Sequence, residues 1–264
     1  MSTESLKSEI GFAARIPHAR LAGIVTAMAI VAVLQIASMY APPYIAPPPV
    51  AIISSLWNKL LPLYREILVT LGRLLIALAF AAAAGTIIGL VMGMFRSVRP
   101  YLQSLIVVDT GIPALSWMLI AVFWFRSSEP RIFFILAVII IPFYALSVAD
   151  GIRAMPKDLL EMCESFRPSR WQVLRYLIFP HVLPYVFATT RSVIGYATRM
   201  IVFAELIASA VGIGAQMGLA QANFDIAAIF AWTLLLVGLN LGLQYLVTLA
   251  ERQALKYRPA IEVR

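Results

Sequence analysis

The sequence has little cysteine, little histidine and little charge. Of its 264 residues one is cysteine and two are histidine, and only 13% are charged, whereas 61% are hydrophobic. Soluble domains carry about 25% charged residues, so this chain has too little polar surface to coat a water-soluble globule. The lone Cys163 cannot form an intrachain disulfide, and no spacing of cysteine and histidine is typical of a metal site. These shortages exclude a soluble enzyme, a secreted disulfide scaffold and a disordered chain, and we expect no metal ligands.

Long apolar runs instead predict an all-α protein that crosses a membrane about six times. A helix of about 20 apolar residues spans about 30 Å of hydrocarbon. The runs are Leu21–Met39, Ile67–Phe95, Tyr101–Phe125, Ile132–Gly151, Val182–Ile207 and Ile226–Ala250. The first run exceeds the about 7–15 residues of a signal-peptide core, so we expect it to be retained as a helix.

The positions of lysine and arginine predict that both termini are cytoplasmic. With the N-terminus inside, 14 of the 21 basic residues fall in cytoplasmic segments, 4 in external segments and 3 within the spans. Such a bias is the positive-inside signature of membrane proteins. The net charge of +8 therefore reflects topology, and nucleic acid is not an expected partner.

Small residues and prolines suggest how the spans are organised. Prolines are concentrated between positions 42 and 49, which predicts a stiff external connector after the first span. Small residues recur at every fourth position in the second and sixth spans, at Ala77, Ala81, Gly85, Gly89 and Gly93, and at Gly238 and Gly242. Such stripes let helices approach closely, either at a subunit or gating interface or by packing inside one subunit.

The connection between the fourth and fifth spans is about 30 residues long, which is unusual for a simple loop. Asp158 and Glu161 have the spacing of a capping box. Leu160, Cys163 and Phe166 share one face of the helix that would follow. Because the polar face carries acidic residues, including Glu164, we expect a protein partner there rather than anionic lipid or the protein's own spans.

A second short helix is predicted after a sharp turn. Arg167 precedes a proline and is therefore pushed out of the helical region. Ser169 and Gln172 form a second capping box. We expect Pro180 and Pro184 to end this helix before the fifth span.

Several segments of the sequence resemble segments of a known protein family. The run EMCESFRPSRWQ at 161–172, followed by FPHVLP at 179–184, resembles the EAA loop of permeases in binding-protein-dependent ABC importers. LVTLGR at 68–73, PALSW at 113–117, and AELI at 204–207 with GIG at 212–214 also look like family segments. The resemblance covers about residues 65–258 and is greatest to the nitrate, sulfonate and taurine branch. It implies three parts: 1–64 with the tail, first span and connector, 65–258 as the permease core, and 259–264 as a cytoplasmic tail.

The resemblance also implies a coupling segment, 156–180, that contacts a cytoplasmic ATPase. The residues expected there are Asp158, Leu160, Glu161, Cys163, Glu164, Phe166, Arg167, Ser169 and Arg170. Arg167 stands where the family has glycine, so the turn must form without glycine's conformational freedom. Its guanidinium would then be available for a bidentate contact with a partner carboxylate.

Ionisable residues within spans are the candidates for the translocation pathway, because charge is costly in a bilayer. The candidates are Arg199, Glu205, Arg73 and Arg191, with Pro113 as a residue that would break the third span. Arg73 and Arg191 resemble positions at which the family has arginine, which favours pairing or snorkelling. Glu205 would either hold the fold by hydrogen bonds or contact substrate. Arg199 has no family counterpart and is the candidate contact for an anion.

The sequence therefore predicts a permease subunit of an ABC importer in a bacterial inner membrane. The implied partners are an ATPase dimer, an extracytoplasmic binding protein, a second permease copy and the lipid bilayer. No G-x-x-x-x-G-K-[ST] motif is present, so we expect ATP to be used by the partner and no cofactor to be bound by this non-catalytic chain. The expected cargo is a small anion such as nitrate, a sulfonate or taurine. A neutral heterocycle or vitamin precursor, or an ion-coupled secondary carrier, is the alternative.

Overall fold

The protein, described here by a computed structural model for residues 3–156, 158, 161 and 168–256, is helical and has no β-strand among these residues. The helices in chain order are α1 Thr3–Tyr40, α2 Pro49–Ser55, α3 Tyr64–Met94, α4 Arg99–Gly111, α5 Ala114–Trp124, α6 Ser128–Arg153, α7 Arg170–Gln172, α8 Phe179–Ala208, α9 Ile213–Ala222 and α10 Ile226–Ala254. A π-helical and a 3₁₀ turn, Leu56–Leu60 and Leu61–Leu63, follow α2. In the part of the chain that the structure describes, five helices are long and apolar enough to cross a membrane, and a sixth span results if α4 and α5 count as one.

The described chain divides into two compact units. One contains the described residues up to Pro62 together with Ala220–Trp232. The other contains Leu63–Leu219 and the described residues from Thr233 onward, and it holds all the candidate site residues that the structure describes. Its core is built on α3, α6 and α8, with fully buried side chains such as Leu136, Tyr144 and Ile194.

The small-residue stripe of α3 packs against α6 within this unit. Ala77 and Ala81 are fully buried. A Cβ added at Gly85 would come within 2.6 Å of the Tyr144 Cβ, and one at Gly89 within 2.6 Å of the Ala145 carbonyl oxygen. The stripe therefore serves packing inside one subunit, because only glycine lets the two backbones come this close. Gly238 and Gly242 differ, since an added Cβ there meets nothing within 4 Å in the described chain.

The expected break of the third span, Tyr101–Phe125, at Pro113 is confirmed. The run consists of α4 and α5, whose axes differ by 93°. Pro113 lies between them with an extended backbone (φ −58°, ψ 136°), and its ring cannot continue the hydrogen-bonding pattern of α4. Hydropathy alone does not distinguish a straight span from a bent pair of the same composition.

The predicted helix break at Pro180 and Pro184 is wrong. α7 continues through a π-helical stretch, Val173–Ile178, directly into α8, so the apolar span extends over Val173–Ala208. Pro180 is the second residue of the α-helical part, directly after the π-helical stretch. Pro184 lies inside α8.

Candidate functional site

Glu205 lies at the centre of a buried polar network near the C-terminal end of α8. Its side chain is fully buried. Thr70 Oγ1 lies 2.9 Å from both carboxylate oxygens, Arg73 Nη1 donates to Oε1 at 2.8 Å, and the Gly214 N–H donates to Oε2 at 3.0 Å. Buried charge is tolerated only when it is paired and hydrogen-bonded, and here the carboxylate is both. This arrangement gives Glu205 a role in joining α3, α8 and α9.

The loop between α8 and α9 is fastened to α3 by the same network. The Gly212 N–H donates to Glu66 Oε2 at 2.5 Å, and the Ile213 N–H donates to Thr70 Oγ1 at 2.8 Å. Gly212 has a φ of +117°, which L side chains rarely adopt, and a Cβ there would collide with the Glu205 carboxylate. The GIG run at 212–214 is therefore needed for the close approach of this loop to Glu205.

Arg73 extends the network to α6. Its Nη2 lies 2.5 Å from Glu129 Oε1, its Nε donates to Glu129 Oε2 at 2.9 Å, and its Nη1 also donates to the Val211 carbonyl at 2.8 Å. The Arg73 side chain is 9% exposed, whereas that of Glu129 is 66% exposed. All three guanidinium nitrogens of Arg73 thus donate to protein acceptors. Few N–H groups remain to bind an anion in transit.

Arg191 forms an ion pair with α10. Its Nη1 lies 2.9 Å from Glu251 Oε2, with the Arg191 side chain 44% exposed and that of Glu251 17% exposed. Arg191 therefore joins α8 to the end of α10 that is predicted to be cytoplasmic.

Arg199 differs from the other two arginines because it lines a cavity and has no ion pair among the described residues. The cavity has a volume of about 520 Å³ and lies between α8, the end of α9 and α10. Its lining residues are Gly195, Thr198, Arg199, Val202, Phe203, Met217, Thr233, Leu236, Val237 and Asn240. Arg199 Nε donates to the Gly195 carbonyl one turn earlier in the same helix, at 3.1 Å. Among the residues that the structure describes, no carboxylate forms an ion pair with Arg199.

Pro113 provides the bend between α4 and α5, and its carbonyl begins the hydrogen bonding of α5. Its oxygen accepts hydrogen bonds from the Ser116 N–H at 2.8 Å and from the Trp117 N–H at 3.4 Å. The Trp117 ring packs edge-on against Phe134, with centroids 6.0 Å apart. The residue thus starts α5 and directs its aromatic side chains onto α6.

Only part of the predicted coupling segment falls within the described residues. Asp158 and Glu161 are helical and exposed, whereas Leu160, Cys163, Glu164, Phe166 and Arg167 lie outside the described residues. The second capping box is present: the Ser169 N–H donates to Gln172 Oε1 at 2.7 Å, and the Gln172 N–H donates to Ser169 Oγ at 3.3 Å. Arg170 is the first residue of α7.

Both ends of the coupling segment are anchored in one apolar cluster, which we call the root cluster. It consists of buried Val148 near the end of α6, of Met155 just after that helix, and of Ile178 and Val182 where the π-helical stretch meets α8. In addition, His181 Nε2 lies 3.1 Å from the Gly151 carbonyl oxygen. Because packed side chains transmit displacement, a movement of the segment would be passed to both α6 and α8.

Comparison with known proteins identifies the family. A family model described as "binding-protein-dependent transport system inner membrane component" matches residues 81–256. The chain belongs to this family.

Related permeases transport different compounds. The permease is 29% identical over 201 residues to the taurine transport system permease protein of Escherichia coli (strain K12), covering 74% of this chain and 72% of the relative. It is 28% identical over 181 residues to the nitrate import permease protein of Leptolyngbya laminosa, covering 63% of each chain. It is 28% identical over 218 residues to the riboflavin transport system permease protein of Chloroflexus aurantiacus, covering 82% of this chain and 81% of the relative. The permease is therefore a membrane component of the nitrate, sulfonate and taurine branch, and family membership places it in the inner membrane.

A solved structure has the same fold. The crystal structure of an amino acid ABC transporter aligns with a TM-score of 0.62 at 20% identity, covering 74% of this chain and 95% of that chain. The likeness establishes that the permease has the helical fold of ABC transporter membrane subunits.

Sequence reasoning missed several residues that hold this site together. Thr70, Glu66 and Glu129 all contact the Glu205 network, and Arg131 donates to the Ala208 carbonyl at 2.8 Å and to the Phe125 carbonyl at 2.7 Å. Arg131 and Glu129 lie in the first turn of α6. The positive-inside rule counted Arg131 only as an external basic residue and did not consider Glu129. The available signal was that Glu66 and Thr70 are four residues apart and therefore share a face of α3.

Proposed function

We propose that the permease forms the translocation pathway for a small inorganic or organic anion and couples it to a separate cytoplasmic ATPase through segment 156–180. The observation that carries the proposal is the root cluster, which attaches both ends of this segment to the spans through Val148, Met155, Ile178 and Val182. A loop that only connected two helices would have no need for buried anchors at both ends. A segment that transmits force does need them.

The proposed mechanism is a lever. The apolar face containing Leu160, Cys163 and Phe166 would be buried in a groove of the ATPase, contributing about 1.5–3 kcal/mol for each large side chain. ATP-driven closure of the ATPase would displace the segment, and the root cluster would pass the displacement to α6 and α8. The spans would then alternate between inward-open and outward-open arrangements.

The proposed assembly contains three kinds of partner. Two ATPase chains would supply the energy, with ATP bound and used by them and by no residue of the permease. An extracytoplasmic binding protein would deliver the cargo, and a second copy of the permease would complete the pathway. The family description, with its reference to binding-protein-dependent transport, supports the first two partners.

Cargo of the anionic class is supported by relatives named for taurine and nitrate. Arg199 supports the same class, since it is a cation that lines a cavity without a carboxylate partner among the described residues. A neutral heterocycle is the second candidate, and the relative named for riboflavin favours it.

The coupling proposal is tested by introducing charge into the apolar face of the segment. We expect Phe166→Glu to reduce co-purification of the ATPase from native membranes at least about tenfold, because a carboxylate would be buried without a partner. Membrane levels of the permease should stay normal. The matched control is Gln253→Glu, which places the same new charge on an exposed position near the end of α10. Normal ATPase recovery with Phe166→Glu, measured after crosslinking to exclude dissociation in detergent, would contradict the proposal.

A further inference from the structure

The C-terminal part of the coupling segment, where α7 continues into α8, has apolar side chains on two faces. On the inner face, Leu174 packs against the root cluster, and Ile178 belongs to it and is 7% exposed. On the outer face, Trp171, Tyr176 and Phe179 are 64%, 72% and 57% exposed. A helix that is apolar all round is either buried in protein or in contact with lipid. The outer side chains therefore require contact with lipid or with another protein.

Arg175 lies on the same outer face. It is four positions from both Trp171 and Phe179, and its guanidinium carbon lies 6.0 Å from the centre of the Tyr176 ring. Arg175 is exposed, and no carboxylate forms an ion pair with it within the part of the chain that the structure describes. We call Trp171, Arg175, Tyr176 and Phe179 the aromatic face. Tryptophan, tyrosine and the long side chain of arginine are residues that membrane interfaces favour.

The length of the helix indicates the depth of the aromatic face in the membrane. The apolar span Val173–Ala208 has 36 residues, which corresponds to about 54 Å at about 1.5 Å per residue. A bilayer with its headgroups is about 40–45 Å thick, so one end of this helix must leave the hydrocarbon. Phe179 begins the 30-residue α-helical part, which is about 45 Å long and therefore reaches from one headgroup region to the other. The positive-inside rule assigns the Phe179 end to the cytoplasmic leaflet.

The charge of this region complements an anionic lipid surface. Residues 165–180 include three arginines and no acidic residue. Anionic lipids give the cytoplasmic leaflet a negative surface potential, which attracts arginine near the membrane surface. Asp158, Glu161 and Glu164, which favour a protein partner, all precede this region. Segment 156–180 therefore divides into an acidic first part and a basic, aromatic second part.

We infer that the aromatic face is a binding surface for anionic phospholipid of the cytoplasmic leaflet. Arg175 binds the headgroup phosphate through two parallel N–H groups, and Trp171, Tyr176 and Phe179 pack between the headgroups and the acyl chains. The inference goes beyond the proposed transport function, because it requires neither cargo nor ATPase. It implies that lipid holds the cytoplasmic end of α8 at a fixed depth, while the first part of the segment is left to contact the ATPase.

The first test measures lipid binding to the full-length permease in detergent by native mass spectrometry. Phosphatidylglycerol is compared with phosphatidylcholine of the same acyl chains, which has a phosphate but no net charge. We expect phosphatidylglycerol to bind more tightly. Arg175→Gln should weaken phosphatidylglycerol binding about fivefold and phosphatidylcholine binding less, because one arginine near an anionic surface contributes about this much. Trp171→Ala should weaken both lipids equally.

The matched control is Arg252→Gln. Arg252 is an exposed arginine near the end of α10, which is also predicted to be cytoplasmic. It removes the same charge at a position outside the aromatic face. We expect it to leave the affinity for phosphatidylglycerol unchanged.

A second measurement locates the aromatic face directly. A nitroxide is attached to Tyr176→Cys in a Cys163→Ser background, with the permease in phosphatidylglycerol nanodiscs. It should collide more often with oxygen, and less often with a water-soluble nickel complex, than a nitroxide attached to Gln253→Cys, because oxygen concentrates in lipid. Gln253 is exposed near the end of α10 and serves as the reference for water.

Three results would overturn the inference. The first is equal access of the nickel complex to positions 176 and 253. The second is an unchanged affinity of Arg175→Gln for phosphatidylglycerol. The third is shielding of position 176 only after the ATPase is added, which would assign the aromatic face to the ATPase. Because the first two are measured without ATPase, failure there leaves the coupling proposal standing, and the reverse also holds.

Discussion

At the scale of single residues, the four charged pathway candidates divide into three that are ion-paired and one, Arg199, for which no ion pair occurs among the described residues. Glu205 receives donors from α3 and α9, and Arg73 is shared between Glu205 and Glu129. Arg191 is paired with Glu251. Arg199 lines a cavity instead. The pairing pattern therefore separates residues that stabilise the fold from the candidate that contacts cargo.

Glu205 should contribute far more to stability than Glu129, although both bind Arg73. Glu205→Ala would leave Thr70, the Gly214 N–H and part of Arg73 buried without an acceptor, which costs about 3–5 kcal/mol for a buried pair. Glu129 is largely exposed, so Glu129→Ala should cost about 0–1 kcal/mol. Thermal unfolding midpoints of the two purified variants, followed by size-exclusion chromatography after heating, measure the difference. Equal shifts in the two variants would show that burial does not set the contribution.

At the scale of helices, the root cluster joins both ends of the proposed coupling segment to the core. Met155 is 7% exposed and lies two residues beyond the last residue of α6, where the chain leaves the core for the coupling segment. The cluster residues on the other side, Ile178 and Val182, belong to the helix that continues into the core as α8. The two ends of the segment therefore pack against each other in one cluster.

Shortening Met155 should loosen this attachment. We expect Met155→Ala to lower the amount of cargo transported per ATP hydrolysed in reconstituted transporter, because the lost methylene and thioether contacts leave a void that absorbs displacement. The ATPase should still co-purify. Met94→Ala is the matched control, since Met94 is 42% exposed at the end of α3. An unchanged transport ratio in Met155→Ala, with the ATPase bound, would mean that force does not pass through the root cluster.

Local sequence patterns predicted the helices well, but they predicted poorly how consecutive helices are connected. Apolar runs located the spans, and the Ser169 and Gln172 spacing predicted a capping box that the structure contains, because both signals depend on residues close in sequence. The proline at 113 predicted a break, but the 93° angle of the bend and the continuous helix through Pro180 depend on how neighbouring helices pack. The same holds for the Arg73–Glu205 pair, whose members are 132 positions apart.

At the scale of the whole molecule, the distribution of basic residues predicts the orientation of the chain in the membrane. The positive-inside bias predicts that segment 156–180 faces the compartment that contains ATP, while the Glu205 network lies toward the outside. Family membership supports the same arrangement, since the importer family combines a membrane component with a binding protein. In this account the movement of the ATPase would reach α8 at one end, and the cargo would contact the same helix at Arg199.

The most direct test of this account is site-specific photocrosslinking in native membranes. A photoreactive amino acid in place of Phe166 should crosslink to the ATPase, and the crosslink should change in yield when ATP is trapped on the ATPase. The same group at Gln253, exposed near the end of α10, should give no ATPase adduct. If the probe at position 166 yields only lipid or permease adducts while the ATPase is present in the membrane, segment 156–180 is not the coupling element.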